Sequence, residues 1–281
     1  MAVEPGTLYL VGTPIGNLGD LSPRALEVLG EVDFVACEDT RVTGALLTRF
    51  GLRRPLVSYH EHNARGRGGQ LVERLLAGES GALCTDAGMP AISDPGEDIV
   101  RLCHEAGVAV VAVPGPSAVT TALALAGLPT GRFCFEGFLP SAGRERAAHL
   151  AGLKGERRTM VLYEAPHRLK KTLKELLEAL GDRPVALCRE MTKLHEEVRR
   201  TTLSEAVAHY ETNEPRGEFV LVLGGAPDEG GEAPGEADIE GTLRRLLGEG
   251  LSGRDAVRET VARLGVKKNL VYDCYTRLQQ E

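Results

Sequence analysis

The chain has 281 residues, 42% of them hydrophobic but only 4% aromatic and none Trp, with a net charge of −7. This is enough apolar material for one large domain or two modest ones around an aliphatic core. No run approaches the ~18 consecutive apolar residues of a membrane helix, and no basic stretch followed by an apolar core marks an export signal, so a cytoplasmic protein is expected. The acidic balance counts mildly against a nucleic-acid partner. The six cysteines, Cys37, Cys84, Cys103, Cys134, Cys188 and Cys274, form no CxxC pair. Reduced thiols and no metal are expected.

In chain order, TLYLVG, VDFVACE, PLVSYH, GALCTD and VAVVAVPG read as strands separated by helix-like stretches. Ser22–Pro23 and Asp94–Pro95 each look like an N-cap with Pro at the first helical position. Such alternation predicts a mainly parallel sheet covered on both faces. After helix-like SAVTTALALAG the pattern changes: FCFEGF, TMVLYEA, PVALCRE, EVRRTTLSE and GEFVLVLGG suggest a second α/β unit with a mixed sheet. GGAPDEGGEAPGEAD, with five acids and no base, reads as a linker. Beyond it, IEGTLRRLLGEG, SGRDAVRETVARLG and KKNLVYDCYTRLQQ form three helical patterns, with eight Lys/Arg against six Asp/Glu from Ile239 onward. Ser252 with Asp255 resembles a capping box. The divisions are therefore 1–115, an N-terminal α/β lobe; 116–225, a C-terminal α/β lobe; 226–238, a linker; and 239–281, a helix-turn-helix-like tail.

Five strand-end segments carry candidate chemistry. VGTPIGNLGD places three glycines after a strand, without the spacing of a dinucleotide or Walker loop. CTDAGMPAISDPG is a long loop of small residues and prolines, in the position where open α/β sheets hold ligands; its Asp94 reads as a helix cap. In PGPSAVTTA, Ser117 either caps a helix or faces a ligand. CEDTR with YHEHN crowds Glu38, Asp39, Arg41, His60, His62 and Asn63 at two strand ends. Metal binding, a solvated loop, and substrate or acid–base chemistry all remain open there. LYEAPHRLKKTLKEL with REMTKLHEE gathers His167, Arg168 and Lys193, and Lys170, Lys171 and Lys174 follow on a helix. A phosphate-facing surface looks like this, but for the three lysines alone a solvated charged face is the better reading.

GTPIGNLGDLSPRALEVL, CEDTR, HEHN, DAGMPAISDPG, PGPSA, EGFLP, LYEAPHR, REMTKLHEE and GEFVLVL occur here in the order found in the ribosomal-RNA-methylating branch of the tetrapyrrole methylase superfamily. The chain resembles that family from about Thr7 to Leu223, and the ending GVKKNLVYDCYTRL is similar to its small helical tail. Met89 stands where the family has Thr, and Ala91 where it has Leu. The resemblance implies an α/β fold of the two-lobed, tetrapyrrole-methylase-like (class III) methyltransferase type with a small C-terminal helical domain. It implies S-adenosylmethionine as methyl donor, a homodimer, and a product that is a 2′-O-methylated cytidine in the decoding region of bacterial small-subunit ribosomal RNA, met either as naked RNA or in an assembled subunit.

Carried onto this sequence, the resemblance puts donor contacts at Pro14, Ala87, Gly88, Met89, Pro90, Ile92, Ser117, Phe138, Tyr163, Met191 and Thr192. A ribose hydroxyl is a poor acid, so a base is required. Glu38, Asp39 and His60 are the candidates. Arg41, His62, Asn63, His167, Arg168 and Lys193 are the candidates for substrate contacts. Two alternatives stand beside this reading: a corrin or porphyrin ring methylase of the same superfamily, and a non-enzymatic nucleic-acid-binding regulator using the tail.

Overall fold

The computed structural model describes residues 2–227, 235–264 and 266–279. The chain divides into two units, 1–226 and 227–281.

The first unit begins with an all-parallel sheet. Its strands are β1 (Thr7–Val11), β2 (Phe34–Cys37), β3 (Leu56–Ser58), β4 (Gly81–Cys84) and β5 (Ala109–Val113), in the order β3-β2-β4-β1-β5. Parallel strands need crossovers, and those here are α1 (Pro23–Glu31), α2 (Thr40–Arg49), α3 (Ala64–Leu76) and α4 (Glu97–Ala106). β2 and β4 are buried at every residue, because helices cover both faces. The alternation of a strand assigns each side chain to a face. Tyr9 and Val11 pack with Ala25, Val28, Leu29 and Leu47 on one side. Leu8 packs with Leu71, Leu75, Ile99 and Cys103 on the other.

Ser22 starts α1 as its sequence suggests: its Oγ accepts from the Ala25 N–H at 3.1 Å, and Pro23 follows. Asp94 is different. α4 begins at Glu97, after Gly96 at φ 147°, and no side chain caps it. The Asp-Pro pair belongs to the preceding loop, and its carboxylate is left for another purpose.

The second sheet follows α5 (Ala118–Ala126). It contains β6 (Phe133–Phe138), β7 (Thr159–Glu164), β8 (Pro184–Arg189), β9 (Glu197–Thr202) and β10 (Phe219–Leu223), in the order β6-β7-β10-β8-β9. Only β6 and β7 are parallel. α6 (Gly143–Leu153), α7 (Pro166–Leu180) and α8 (Leu203–Thr212) complete it. One face packs Met160, Leu162, Leu187 and Leu221 on Leu169, Leu173 and Leu176. The other packs Val161, Ala186 and Val222 on Val119, Ala122 and Leu123 of α5.

The second unit is a three-helix cluster, α9 (Glu236–Gly248), α10 (Gly253–Leu264) and α11 (Lys268–Leu278), around Leu243, Leu246, Ala256, Val257 and Val271. Helix begins at Glu236, inside the stretch expected as linker, because Asp238 accepts from the Gly235 N–H at 2.8 Å. Linker residues 228–234 lie outside the described residues. Ser252 Oγ accepts from the Asp255 N–H at 3.2 Å and donates to its carboxylate at 2.6 Å.

Candidate active site

In the parallel sheet, β1 and β4 are neighbours, yet the chain leaves β1 toward β2 and leaves β4 toward β5. Their exit loops diverge, and a crevice opens between them. The loops are stitched at one point, where Thr13 N donates to Gly88 O at 2.9 Å and Gly88 N to Thr13 O at 3.1 Å. Gly12 lies against Gly115, so close that a Cβ on Gly12 would stand 2.7 Å from the Gly115 Cα. Only glycine permits this approach.

Beyond these loops lies a cavity of about 480 Å³, within the usual range for a small-molecule site. The first sheet contributes Ile15, Ala87, Gly88, Met89, Ile92, Ser93 and Asp94, and the start of α5 adds Ser117 and Ala118. The second sheet contributes Phe138, Tyr163, Glu164, Cys188, Glu190, Met191, Lys193, Glu218 and Phe219. Among the described residues, the four non-glycines with positive φ are Ala91 (67°), Ser93 (61°), Glu190 (51°) and Thr192 (66°). All four lie in two of the loops that build this cavity. Such conformations cost of the order of 1–3 kcal/mol each and persist where the surrounding structure imposes them.

Of the expected donor contacts, Ala87, Gly88, Met89, Ile92, Ser117, Phe138, Tyr163 and Met191 line the cavity, while Pro14, Pro90 and Thr192 do not. Thr192 stands just behind the wall. Its Oγ1 is buried without a hydrogen-bond partner and packs where a Cβ on Gly16 would fall. Ser117 sits at the α5 N-cap position but makes no capping bond, so its hydroxyl is free for a ligand. Lys193, expected to meet substrate, lines the cavity instead. Burial opposes its charge, but hydrogen bonds to Glu218 (2.7 Å) and Glu190 (3.0 Å) outweigh that and hold it protonated.

The residues that sequence reasoning missed are mostly acidic. Asp94 faces the cavity with its carboxyl pushed up to about 6, first by burial and then by the nearby charges of Glu38 and Asp86. Its position before a proline disguised it as a cap. Glu164, 2% exposed, accepts from Thr172 Oγ1 at 2.5 Å and from its neighbour's N–H (Ala165) at 2.9 Å. Arg146, 3% exposed, binds Thr172 Oγ1 (2.7 Å), Glu175 (2.7 Å) and the Pro140 carbonyl (2.8 Å). This network braces the chain just after Phe138.

The Glu38 cluster lies at the ends of β2, β3 and β4, outside the cavity lining but within electrostatic reach of Asp94. Burial, then Asp86, raises the Glu38 carboxyl, while His60 opposes the rise. Asp39 is differently employed. It caps α2, accepts from the Arg41 N–H at 2.8 Å and pairs with the Arg41 guanidinium at 2.6 Å, which pulls it down to about 2. Asn63 braces its own turn, accepting from His60 N (2.9 Å) and donating to Ser58 O (3.2 Å). His60 keeps a buried Nδ1 without a partner, and its ring meets that of the exposed His62 edge-on at 6.0 Å.

In the second expected cluster most of the cations have partners within the protein. Arg168 turns inward to the Leu139 and Pro140 carbonyls and to Glu164. Lys170, Lys171 and Lys174 each pair with a glutamate: Glu214, Glu175 and Glu211. His167, Lys171 and Lys174 are exposed.

A parallel sheet and a mixed sheet meeting at a cavity beyond their strand ends define a methyltransferase of the tetrapyrrole methylase type. The family model described as Tetrapyrrole (Corrin/Porphyrin) Methylases matches residues 7–207. Among solved structures, a cobalt precorrin-4 methyltransferase superposes with a TM-score of 0.58 at 22% identity, over 78% of this chain and 95% of that one. A uroporphyrin-III-C-methyltransferase from Thermus thermophilus gives 0.55 at 24%, over 78% and 94%. These likenesses concern the fold. Sequence relatives are more particular. Ribosomal RNA small subunit methyltransferase I of a Synechocystis species is 45% identical over 98% of this chain and 99% of its own. The Escherichia coli O157:H7 protein of that name is 44% identical over 95% and 93%. The Thermotoga maritima protein is 48% identical over 78% of this chain and 99% of its own. The chain belongs to the ribosomal RNA small subunit methyltransferase I family.

Proposed function

We propose that this protein transfers a methyl group from S-adenosylmethionine to the ribose 2′-hydroxyl of a cytidine in the decoding region of small-subunit ribosomal RNA. The observation that carries this reading is the cavity itself. Strained loops from two sheets enclose a mostly apolar pocket with acidic groups at defined points, as a cationic nucleoside ligand requires. The donor fits on three counts. The volume is suitable, glycine backbones cradle one side, and the hydroxyl of Ser117 on the cavity wall makes no capping bond. When bound, the donor supplies an activated methyl group on a positively charged sulfur.

The chain's own residues supply position and proton handling. Ala87, Gly88, Met89 and Ile92 form one wall, and Phe138 and Tyr163, with ring centroids 5.5 Å apart, form another. Together they exclude water. Asp94 balances the ligand's positive charge. Glu38 is the proton acceptor of our choice. Its carboxyl is raised toward the operating range, where general bases work best, whereas Asp39 is held by Arg41. Arg41 and His62 are exposed beside it and suit contacts with the acceptor RNA. We read the protein as a cytoplasmic homodimer, to be checked by light scattering.

The test is to incubate the protein with labelled donor and small ribosomal subunits from a strain lacking it, then map the modified nucleotide. A 2′-O-methyl group on a decoding-region cytidine is expected. Transfer to corrin or porphyrin rings and not to RNA would refute the reading.

A further inference from the structure

β2 and β3 are hydrogen-bonded neighbours, with Cys37 opposite Ser58, and the Tyr59 N–H donates to the Cys37 carbonyl at 2.8 Å. Neighbouring strands lie ~4.8 Å apart, so Glu38 and His60 leave adjacent strand ends. The turn that carries His60 is fixed on both flanks. Before it, Tyr59 is fully buried and its hydroxyl donates to Asp98, at the start of α4. After it, Asn63 accepts from the His60 N–H at 2.9 Å and donates to the Ser58 carbonyl at 3.2 Å. The result is one imidazole held in place at the edge of the Glu38 cluster.

The fold itself makes no use of that ring. Its Nδ1 is buried with no hydrogen-bond partner among the described residues, a costly state that is rare in folded proteins. Among the described residues no group of three or more His, Cys, Asp or Glu is placed to hold a metal ion, so the ring is not one arm of a metal site. Carboxylates crowd the cluster instead. The Asp39 N–H donates to the Asp86 carboxylate at 3.3 Å, and both acids oppose negative charge on Glu38, as Glu38 and Asp86 do on Asp94. Arg41, the cation of α2, is taken by Asp39. Such neighbours make Glu38 a group that gains a proton readily and gives it up slowly. His60 is the one neighbour that acts on Glu38 in the other direction. The exposed ring of His62 lies edge-on to it, 6.0 Å between centroids, which brings the pair to the protein surface.

We infer that His60 takes the proton from Glu38 after each methyl transfer and passes it to water, which returns Glu38 to the form that accepts the next proton. The inference rests on the RNA reading above and deepens it. In the transfer, the ribose O–H bond breaks as the new oxygen–methyl bond forms. The proton goes to the Glu38 carboxylate, and the electron pair of the broken sulfur–methyl bond stays on sulfur, which becomes neutral. The Glu38 O–H bond then breaks, its proton joins one imidazole nitrogen of His60, and the carboxylate is restored. The imidazolium loses a proton from its other nitrogen to water. An imidazole suits this step, because its two nitrogens can take up and release protons near neutral pH. A glutamine in its place could hold the turn but could not carry the proton.

The test compares the full chain with His60→Gln, which keeps a polar side chain of similar size, and with His60→Ala, which leaves room for a free imidazole. Methyl transfer to small ribosomal subunits is followed through a single turnover, with protein in excess, and through many turnovers. Donor binding is read by calorimetry. In His60→Gln the first turnover is expected near the wild-type rate, while later turnovers slow by roughly 10²-fold, the usual worth of a positioned proton carrier. In His60→Ala, added imidazole should restore the later turnovers in proportion to its concentration, and sodium chloride at the same ionic strength should not. Donor affinity should be unchanged in both variants, which also reports that they fold. Steady turnover of His60→Gln at the wild-type rate would overturn the inference. So would a first turnover slowed as much as the later ones, or an absence of rescue by imidazole. Loss of donor binding in both variants would overturn it too, by making His60 structural. Failure of the RNA reading shows separately, as a wild-type chain that methylates no RNA.

Discussion

Replacing Asp94 by Asn removes a carboxylate that faces the donor cavity and has no hydrogen-bond partner among the described residues. Opposite charges about 4 Å apart interact by about 4 kcal/mol at an effective dielectric constant of ~20. The cost of keeping Asp94 ionised in a partly buried site offsets part of this. A net loss of roughly 1.4–2.8 kcal/mol follows, or ten- to a hundredfold weaker donor binding at pH 7.5. The pH dependence has a definite sign. With the carboxyl at about 6, roughly ten in eleven molecules are ionised at pH 7 and one in eleven at pH 5. Wild-type affinity for the donor should therefore fall about tenfold between those values, while Asp94→Asn stays flat. Stability runs the other way. A carboxyl raised in the folded state contributes stability that is complete below its unfolded value and is lost as pH rises through about 6. After discounting for partial exposure, the ligand-free Asn variant should be more stable than wild type at pH 7.5 by about 1–2 kcal/mol. Calorimetry at pH 5, 6 and 7.5, with thermal melts in each buffer, reads both effects. A wild-type affinity that does not change with pH, or an Asn variant that binds as tightly as wild type at pH 7.5, would refute the reasoning.

Glu38→Gln should slow methyl transfer by about 10²–10⁴-fold and leave donor binding within twofold in calorimetry; equal loss of both would make Glu38 structural. Gly12→Ala places a Cβ 2.7 Å from the Gly115 Cα, where backbone cannot yield, and should lower stability by about 1–3 kcal/mol and abolish donor binding, as read by melts and calorimetry. Arg146→Ala strips the bonds to Thr172, Glu175 and Pro140 from a buried network; urea unfolding should show a loss of about 3–5 kcal/mol. Truncation after Ala226 should leave donor affinity unchanged, because every residue of the cavity lining precedes that point.

All ten strands and the three tail helices were legible in the sequence, because long apolar runs bounded by Gly, Pro and Ser leave little choice of period. TLYLVG and GALCTD can bury both faces only in a covered parallel sheet. The glycine and proline loops were equally visible, since few residues tolerate the close approach of Gly12 to Gly115. The role of each polar residue was not legible. Asp94 looks like a helix cap in the sequence, and Asp39 like a candidate base. Asp39 caps α2, and Asp94 faces the cavity because α4 starts three residues later. Arg168, Lys170 and Lys174 find their partners in distant segments, the Leu139–Pro140 carbonyls, Glu214 and Glu211, whereas Lys171 pairs with Glu175 on its own helix. Hydrophobic period is a local property, so the chain alone determined its elements and their loops. A charged group's function depends on which other groups and how much water surround it, and only the folded arrangement of the two sheets decided that.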